Sequence, residues 1–325
     1  MKSKVLVARA TFPDVLDRLE QQFEVESNQD DKIFSAEELH RKMQGKDAIV
    51  ITSSEKMSAD VIAANTHLKA ICNVAVGYNN IDVQAATKAG IMVTNTPDVL
   101  NQTTADYAWT LLMANARRVS ESEHYLRAGL WKNWRFDQFL GADVHGATLG
   151  ILGMGRIGQA IARRSMGFDM KVVYHNRSRL TPEQEAQANN ARYVSKEELL
   201  RTADHLILVL PYSAETHHII GAAELALMKP TATLVNIARG GIVDDVALIA
   251  ALREKRIASA GLDVFENEPA LHPDFLTLPN VVLTPHIGSG SEKTRRAMAD
   301  CASANLVAAL SGQRPPNLIN GDTFK

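Results

Sequence analysis

Cysteine is scarce in this 325-residue chain: there are two, Cys72 in "KAICNVAV" and Cys301 in "ADCASAN". Two thiols in apolar settings, at no metal-binding spacing, exclude a disulfide framework and a zinc module and suit a reducing compartment. An excess of one charge is missing too. Lys and Arg total 35 against 37 Asp and Glu, a formal net charge of −2. That balance offers no basic field to nucleic acid and no polybasic segment to a membrane surface. No apolar run reaches the roughly 18 residues of a spanning helix. The opening "MKSKVLVARATF" is broken by Arg9 too soon for a secretory leader. The expected address is the cytoplasm, with no nucleic-acid partner, no membrane and no metal. Aromatic residues make up only 6% of the chain, so the paired tryptophans of "GLWKNWRFDQFLG" stand out. Short-period repeats and low-complexity segments are also absent.

What the chain does have, from end to end, is alternation. Short β-rich runs are separated by helical patterns: "KVLVARA", "AIVITSS", "LKAICNVAV" and "GIMVTNT", then "ATLGILG", "MKVVYHN", "HLILVLP", "ATLVNIA", "ASAGLDV" and "NVVLTPH". Strands spaced by helices predict an α/β fold with parallel sheets covered on both faces. The length exceeds what one core usually sustains, and the pattern restarts at a glycine loop, so two doubly wound units are expected. Residues 103–127 contain no helix breaker and read as one long helix bridging the lobes. A last helix, "SEKTRRAMADCASANLVAALSG", is expected to return to the first unit.

The glycine loop lies in "LGILGMGRIGQAIA", residues 149–162. Gly153, Gly155 and Gly158 fall between a strand candidate and a helical face that carries Ile157 and Ile161. In that setting the first glycine permits a tight turn, the second lets a pyrophosphate approach the backbone, and the third lets helix and strand pack closely. The helix N-terminus offers free N–H groups to phosphate. A glycine-rich corner can also be purely structural. The next strand ends in "VVYHNRSRL", where an NAD enzyme usually places an acid against the ribose 2′-hydroxyl. This chain has Asn176, Arg177, Ser178 and Arg179 there. A guanidinium suits a phosphate, so NADPH is the expected cofactor with NADH possible; the other reading is two arginines in a solvated polar loop.

Three later stretches, "NIARGGIVDD", "GLDVFENEPALHP" and "LTPHIGSGS", follow strand candidates at the end where open parallel sheets bind ligands. They supply Arg239, Glu268 and His286, a set suited to reducing a 2-oxo acid. Arg239 would clamp the carboxylate and polarise the ketone, His286 would protonate the developing alkoxide, and Glu268 would orient the imidazole and stabilise its charged form. Taken singly, each has a plainer reading: a surface charge, a turn residue before proline, and a core histidine.

Together, "GMGRIG", "NIARGGIVDDVALIAAL", "AGLDVFENEP", "TPHIGSGSEKTR" and "VAVGYNNIDVQAATKAGIMVTNTPDVLNQTTAD" resemble the D-isomer-specific 2-hydroxyacid dehydrogenases over nearly the whole chain. The resemblance implies a Rossmann nucleotide-binding domain, residues 101–287, inserted into a flavodoxin-like substrate domain, residues 1–100 plus 288–325. It implies Arg239, Glu268 and His286 as catalytic residues and the backbone of Val76 and Gly77 as a substrate clamp. Further implied cofactor contacts are Thr103, Arg156, Ile157, Pro211, Thr216, Ile237, Ala238, Asp263, His286 and Gly288. A homodimer formed through the nucleotide domains is implied as well.

Within that family the chain is most similar to glyoxylate/hydroxypyruvate reductases, with 2-ketogluconate reductases as the alternative. Trp134 would then wall the partner's substrate site in the dimer, while Trp131 is expected to anchor the segment on its own domain. A reading of another class is a nucleotide-sensing protein like the C-terminal-binding-protein corepressors. The full Arg, Glu and His set argues for the enzyme.

Overall fold

Short strands rich in β-branched and aliphatic residues build two parallel sheets in the computed structural model, which describes residues 1–321. The last four positions of the expected 288–325 segment lie outside the described residues. The chain divides into two units, Met1–Leu100 with Ser291–Lys325, and Asn101–Gly290.

The first unit runs β1 (Lys4–Val7), α1 (Pro13–Gln22), β2 (Glu24–Ser27), α2 (Ala36–Met43), β3 (Ala48–Ile51), α3 (Ala59–Ala63), β4 (Ala70–Asn73), α4 (Val83–Lys88) and β5 (Met92–Thr94). Its strands pair in parallel in the order β2-β1-β3-β4-β5, the flavodoxin-like arrangement. Alternate residues of β1 feed opposite faces, as the period of two requires. Leu6 joins Ile49, Ile51 and Ile71 on one side, while Val5 and Val7 join Val50 and Cys72 on the other. The second face is covered by α1, through Val15 and Leu19, and by the C-terminal helix, Glu292–Leu310, through Ala299, Leu306 and Ala309. The tail beyond that helix returns to β5, where Asn320 accepts from the Val93 N–H and donates to the Ile91 carbonyl, both at 2.9 Å.

The second unit opens with α5 (Asn101–Ala116) and α6 (Val119–Arg127). It continues through β6 (Thr148–Leu152), α7 (Arg156–Arg164), β7 (Lys171–His175), α8 (Pro182–Gln187), β8 (Arg192–Tyr193) and α9 (Lys196–Thr202). Then come β9 (His205–Leu208), α10 (Ala222–Leu227), β10 (Thr233–Asn236), α11 (Asp245–Arg253), β11 (Ser259–Leu262) and β12 (Val281–Leu283). The seven-stranded parallel sheet has the order β12-β11-β10-β9-β6-β7-β8, the doubly wound nucleotide-binding arrangement with one added strand. Its strand order reverses between β6 and β9, the crevice where such sheets take ligands.

The single long helix expected over residues 103–127 is in fact two. Arg118 adopts φ 53°, in the left-handed region, and ends the first helix without a glycine or proline. The chain at 140–142 takes over the exposed end: Ala142 donates to the Ala116 carbonyl at 2.9 Å, and Arg118 Nη1 donates to Leu140 O at 3.3 Å. Among the described residues no helix is long and apolar enough to cross a membrane.

Candidate active site

The chemistry-bearing residues of the second unit gather on loops that leave the carboxyl ends of its strands. The glycine loop follows β6, Pro211 and Thr216 follow β9, and Arg239 follows β10. Asp263 and Glu268 follow β11, and His286 follows β12.

The glycine loop passes a physical test for a dinucleotide. Gly153 turns with φ +103°, and a Cβ there would stand 2.8 Å from the Val209 carbonyl group. A Cβ on Gly158 would stand 2.3 Å from Gly153 O, so only glycine lets α7 and β6 close. At Gly155 a Cβ would meet nothing within 4 Å, so the space before the helix is open to a phosphate. Gly155 is the N-cap of α7 and no side chain caps it, so the first turn of the helix suits an anion.

The turn after β7 holds a difference from expectation. Arg177 and Ser178 are exposed. Arg179 grips Glu185 through Nε and Nη2, both bonds at 2.9 Å, and so is not a second unengaged cation beside Arg177. Thr216 is also engaged locally, donating to Pro211 O at 2.9 Å and accepting from the Ser213 N–H at 2.7 Å, which closes the turn after β9. Ile237 and Ala238 are buried at the end of β10, and the Ala238 N–H donates to Asn236 Oδ1 at 3.0 Å. Thr103 lies in the first turn of α5.

Arg239, Glu268 and His286 are brought together. His286 Nδ1 lies 2.8 Å from Glu268 Oε2, and the other carboxylate oxygen accepts from the Phe265 N–H at 2.9 Å. Nδ1 therefore carries a proton, and Nε2 is left to exchange one with a substrate. Burial alone would raise the Glu268 carboxyl. The hydrogen bond and charge of His286, the Phe265 N–H and the Arg239 charge outweigh it and hold the carboxyl below its ordinary range. Burial lowers the Arg239 guanidinium and the Glu268 charge pushes it back up. Arg239 Nη1 donates to Ala238 O at 2.8 Å, which fixes one edge of the fork.

Sequence reasoning missed Gly240, which allows this meeting. A Cβ there would lie 1.8 Å from Phe265 O, so the Arg239 and Glu268 loops touch only because residue 240 has none. Its one signal was the doubled glycine of "ARGGIV".

Asp263 holds the histidine loop. Its two oxygens accept from the Ile287 N–H, the Gly288 N–H and the Thr284 hydroxyl at 2.7–2.8 Å. His286 itself takes φ 54°, a left-handed backbone that this anchoring sustains. Burial raises the Asp263 carboxyl, and those three donors and the His286 charge oppose it.

In the first unit, the Val76 carbonyl accepts from Asn95 Nδ2 and the Gly77 carbonyl from Asn73 Nδ2, both at 2.9 Å. The N–H groups of Val76 and Gly77 have no acceptor among the described residues. Trp134 is 74% exposed and meets Phe136 edge to face, with ring centroids 6.2 Å apart. Trp131 is 55% exposed, which overturns its expected role as an anchor.

A doubly wound sheet that presents this glycine loop, and an acid–base pair beside a guanidinium, is the architecture of a nicotinamide-dependent oxidoreductase. Residues 109–288 match the family described as D-isomer specific 2-hydroxyacid dehydrogenase, NAD binding domain, and the chain belongs to that family. It is 49% identical to the glyoxylate reductase of Thermococcus onnurineus, over 100% of this chain and 98% of the relative. It is 46% identical to that of Pyrococcus furiosus, over 100% of this chain and 97% of the relative. A solved NADPH-dependent glyoxylate/hydroxypyruvate reductase from Sinorhizobium meliloti, in complex with NADP and malonate, superposes with TM-score 0.86 at 34% identity, covering 98% of this chain and 97% of that one.

Proposed function

We propose that the protein is an NADPH-preferring reductase of small 2-oxo acids, converting glyoxylate to glycolate and hydroxypyruvate to D-glycerate. The observation that carries this reading is the 2.8 Å His286–Glu268 pair beside Arg239 at the carboxyl edge of a dinucleotide-type sheet. The family and the printed activities of the relatives support it. The reduced nicotinamide, when bound against the glycine loop, supplies the hydride. Arg239 pairs with the substrate carboxylate and draws electron density from the ketone oxygen. His286 Nε2 delivers the proton that turns that oxygen into a hydroxyl, and Glu268 keeps the ring oriented and stabilises its charge. In the first unit, Val76 and Gly77 offer backbone N–H groups to a carboxylate.

The deciding experiment follows NADPH and NADH absorbance with glyoxylate, hydroxypyruvate, pyruvate and 2-ketogluconate. Efficient turnover of glyoxylate and hydroxypyruvate with NADPH is expected. Preference for the six-carbon acid would move the assignment to a keto-aldonate reductase, and no turnover at all would favour a nucleotide-sensing role.

Glu268→Gln removes the carboxylate that holds the imidazole through Nδ1, and turnover of glyoxylate is expected to fall while 5′-ADP binding stays as in the wild type. Normal turnover in that variant would remove Glu268 from the proposal.

We also propose a homodimer, supported by an exposed apolar run in residues 119–140. Val119, Leu126, Leu130, Trp131, Phe136 and Leu140 are between 49% and 85% exposed, more apolar surface in one segment than an isolated chain usually shows. Trp134 is proposed to wall the partner's substrate site, so Trp134→Ala should relax substrate choice and leave cofactor affinity unchanged. Mixing that variant with His286→Ala chains separates the cases. A wall donated across the dimer restores normal selectivity in the heterodimer's working site; retained relaxation would assign the ring to its own subunit.

A further inference from the structure

The turn that joins β7 to α8 is pinned at both ends by tyrosines. Tyr193 donates its hydroxyl proton to Asn176 O at 3.1 Å, and the Leu180 N–H donates to the Tyr174 hydroxyl at 2.9 Å. The two rings pack edge to face with centroids 5.4 Å apart, and Tyr174 is fully buried. Tyr174 in turn donates to Glu185 Oε1 at 2.7 Å, the oxygen that also accepts from Arg179 Nε. Arg179 Nη2 completes a two-pronged bond to Glu185 Oε2 at 2.9 Å. Burial and the neighbouring carboxylate push the Tyr174 phenol up to about 12, so it stays a donor across the working pH range.

This arrangement divides two arginines that look equivalent in sequence. Arg179 and Glu185 cancel in charge, so the pair adds no net positive field to the turn. Arg177 sits between the pinned ends, exposed, with no hydrogen bond or ion pair among the described residues. A dianionic 2′-phosphate gains most from a guanidinium with an open fork and no competing carboxylate.

Resting on the NADPH reading above, we propose that Tyr174, Glu185 and Arg179 form a strut that fixes the 176–180 turn so that Arg177 alone reads the 2′-phosphate. Glu185 is then a positioning residue for cofactor choice, although it is an acid and the ligand an anion. Without the strut, Arg177 is still present but must be ordered at the moment of binding. Ordering one long side chain and its turn is expected to lower the preference for a 2′-phosphate about three- to tenfold.

The test needs no turnover. Isothermal titration of the full-length protein with 2′,5′-ADP and with 5′-ADP gives the ratio of affinities that a 2′-phosphate earns. The wild type is expected to favour 2′,5′-ADP at least tenfold, and Arg177→Ala to abolish that preference. Glu185→Gln keeps both arginines and removes the carboxylate. Its ratio should fall three- to tenfold, with 5′-ADP affinity within about twofold of wild type.

Tyr174→Phe removes the same support without altering any charge, and should shift the ratio in the same direction even if the Glu185 variant folds poorly. A ratio that rises in Glu185→Gln would mean that a released Arg179 is itself a phosphate ligand, and would overturn the strut. An unchanged ratio in both variants would overturn it too. A wild type indifferent to the 2′-phosphate would instead sink the cofactor reading, so the two failures are told apart.

Discussion

Replacement of His286 by alanine is expected to lower turnover about 10²–10⁴-fold, the usual contribution of a positioned general acid. The loss should appear in kcat and kcat/KM together, because the proton moves only as the alkoxide develops. Binding of 5′-ADP should be untouched, since the glycine loop and the turn after β7 do not contain the imidazole. The measurement is steady-state reduction of glyoxylate beside a calorimetric titration of the same preparation. Turnover within about tenfold of wild type would assign the proton to another group, because a displaced acid rarely costs so little.

Arg239→Ala has the second large effect. Its guanidinium is held by the Ala238 carbonyl and faces Glu268, so its fork is ordered before any substrate arrives. Deleting it leaves the substrate carboxylate without its charged partner in a partly buried site. Truncating one member of such a pair costs about 2–5 kcal/mol. The expected result is a fall in kcat/KM of roughly 10²–10³-fold, with KM for the 2-oxo acid strongly raised. Arg239→Lys should recover little of it, because an ammonium cannot reproduce the two parallel hydrogen bonds of the fork. Unchanged KM in both variants would place the substrate carboxylate elsewhere.

The sequence exposed the central strands because burial on both faces leaves unbroken runs such as "AIVI" and "HLIL", which need no partner to be recognised. It hid β2 and β8. "EVES" and "RY" are edge strands whose pairing comes from the neighbouring strand rather than from apolar content. The break at Arg118 was hidden because no breaker residue sits there; the arriving 140–142 segment ends the helix. At the candidate site the residue types were legible, since Arg239, Glu268 and His286 each follow a strand. Their contacts were not. Glu268 and His286 are 18 positions apart, and only the return of the chain through β12 makes them neighbours. For Arg179 the sequence could not choose between a ligand and the carboxylate of α8, because both satisfy a guanidinium equally well.

The interrupted first unit bears on how the chain matures. Residues 101–290 are contiguous and complete their seven-stranded sheet with no help from either end of the polypeptide. The five-stranded sheet leaves the ribosome before the seven-stranded one, yet part of one face waits for Ala299, Leu306 and Ala309, and its β5 edge waits for Asn320. Domains generally fold as units during synthesis, so the inserted unit should be finished while β3 and β4 of the older one, with Val50 and Cys72, still lack the cover of the C-terminal helix. Apolar surface on β3 and β4 is thus made before the core of the inserted unit and covered after it.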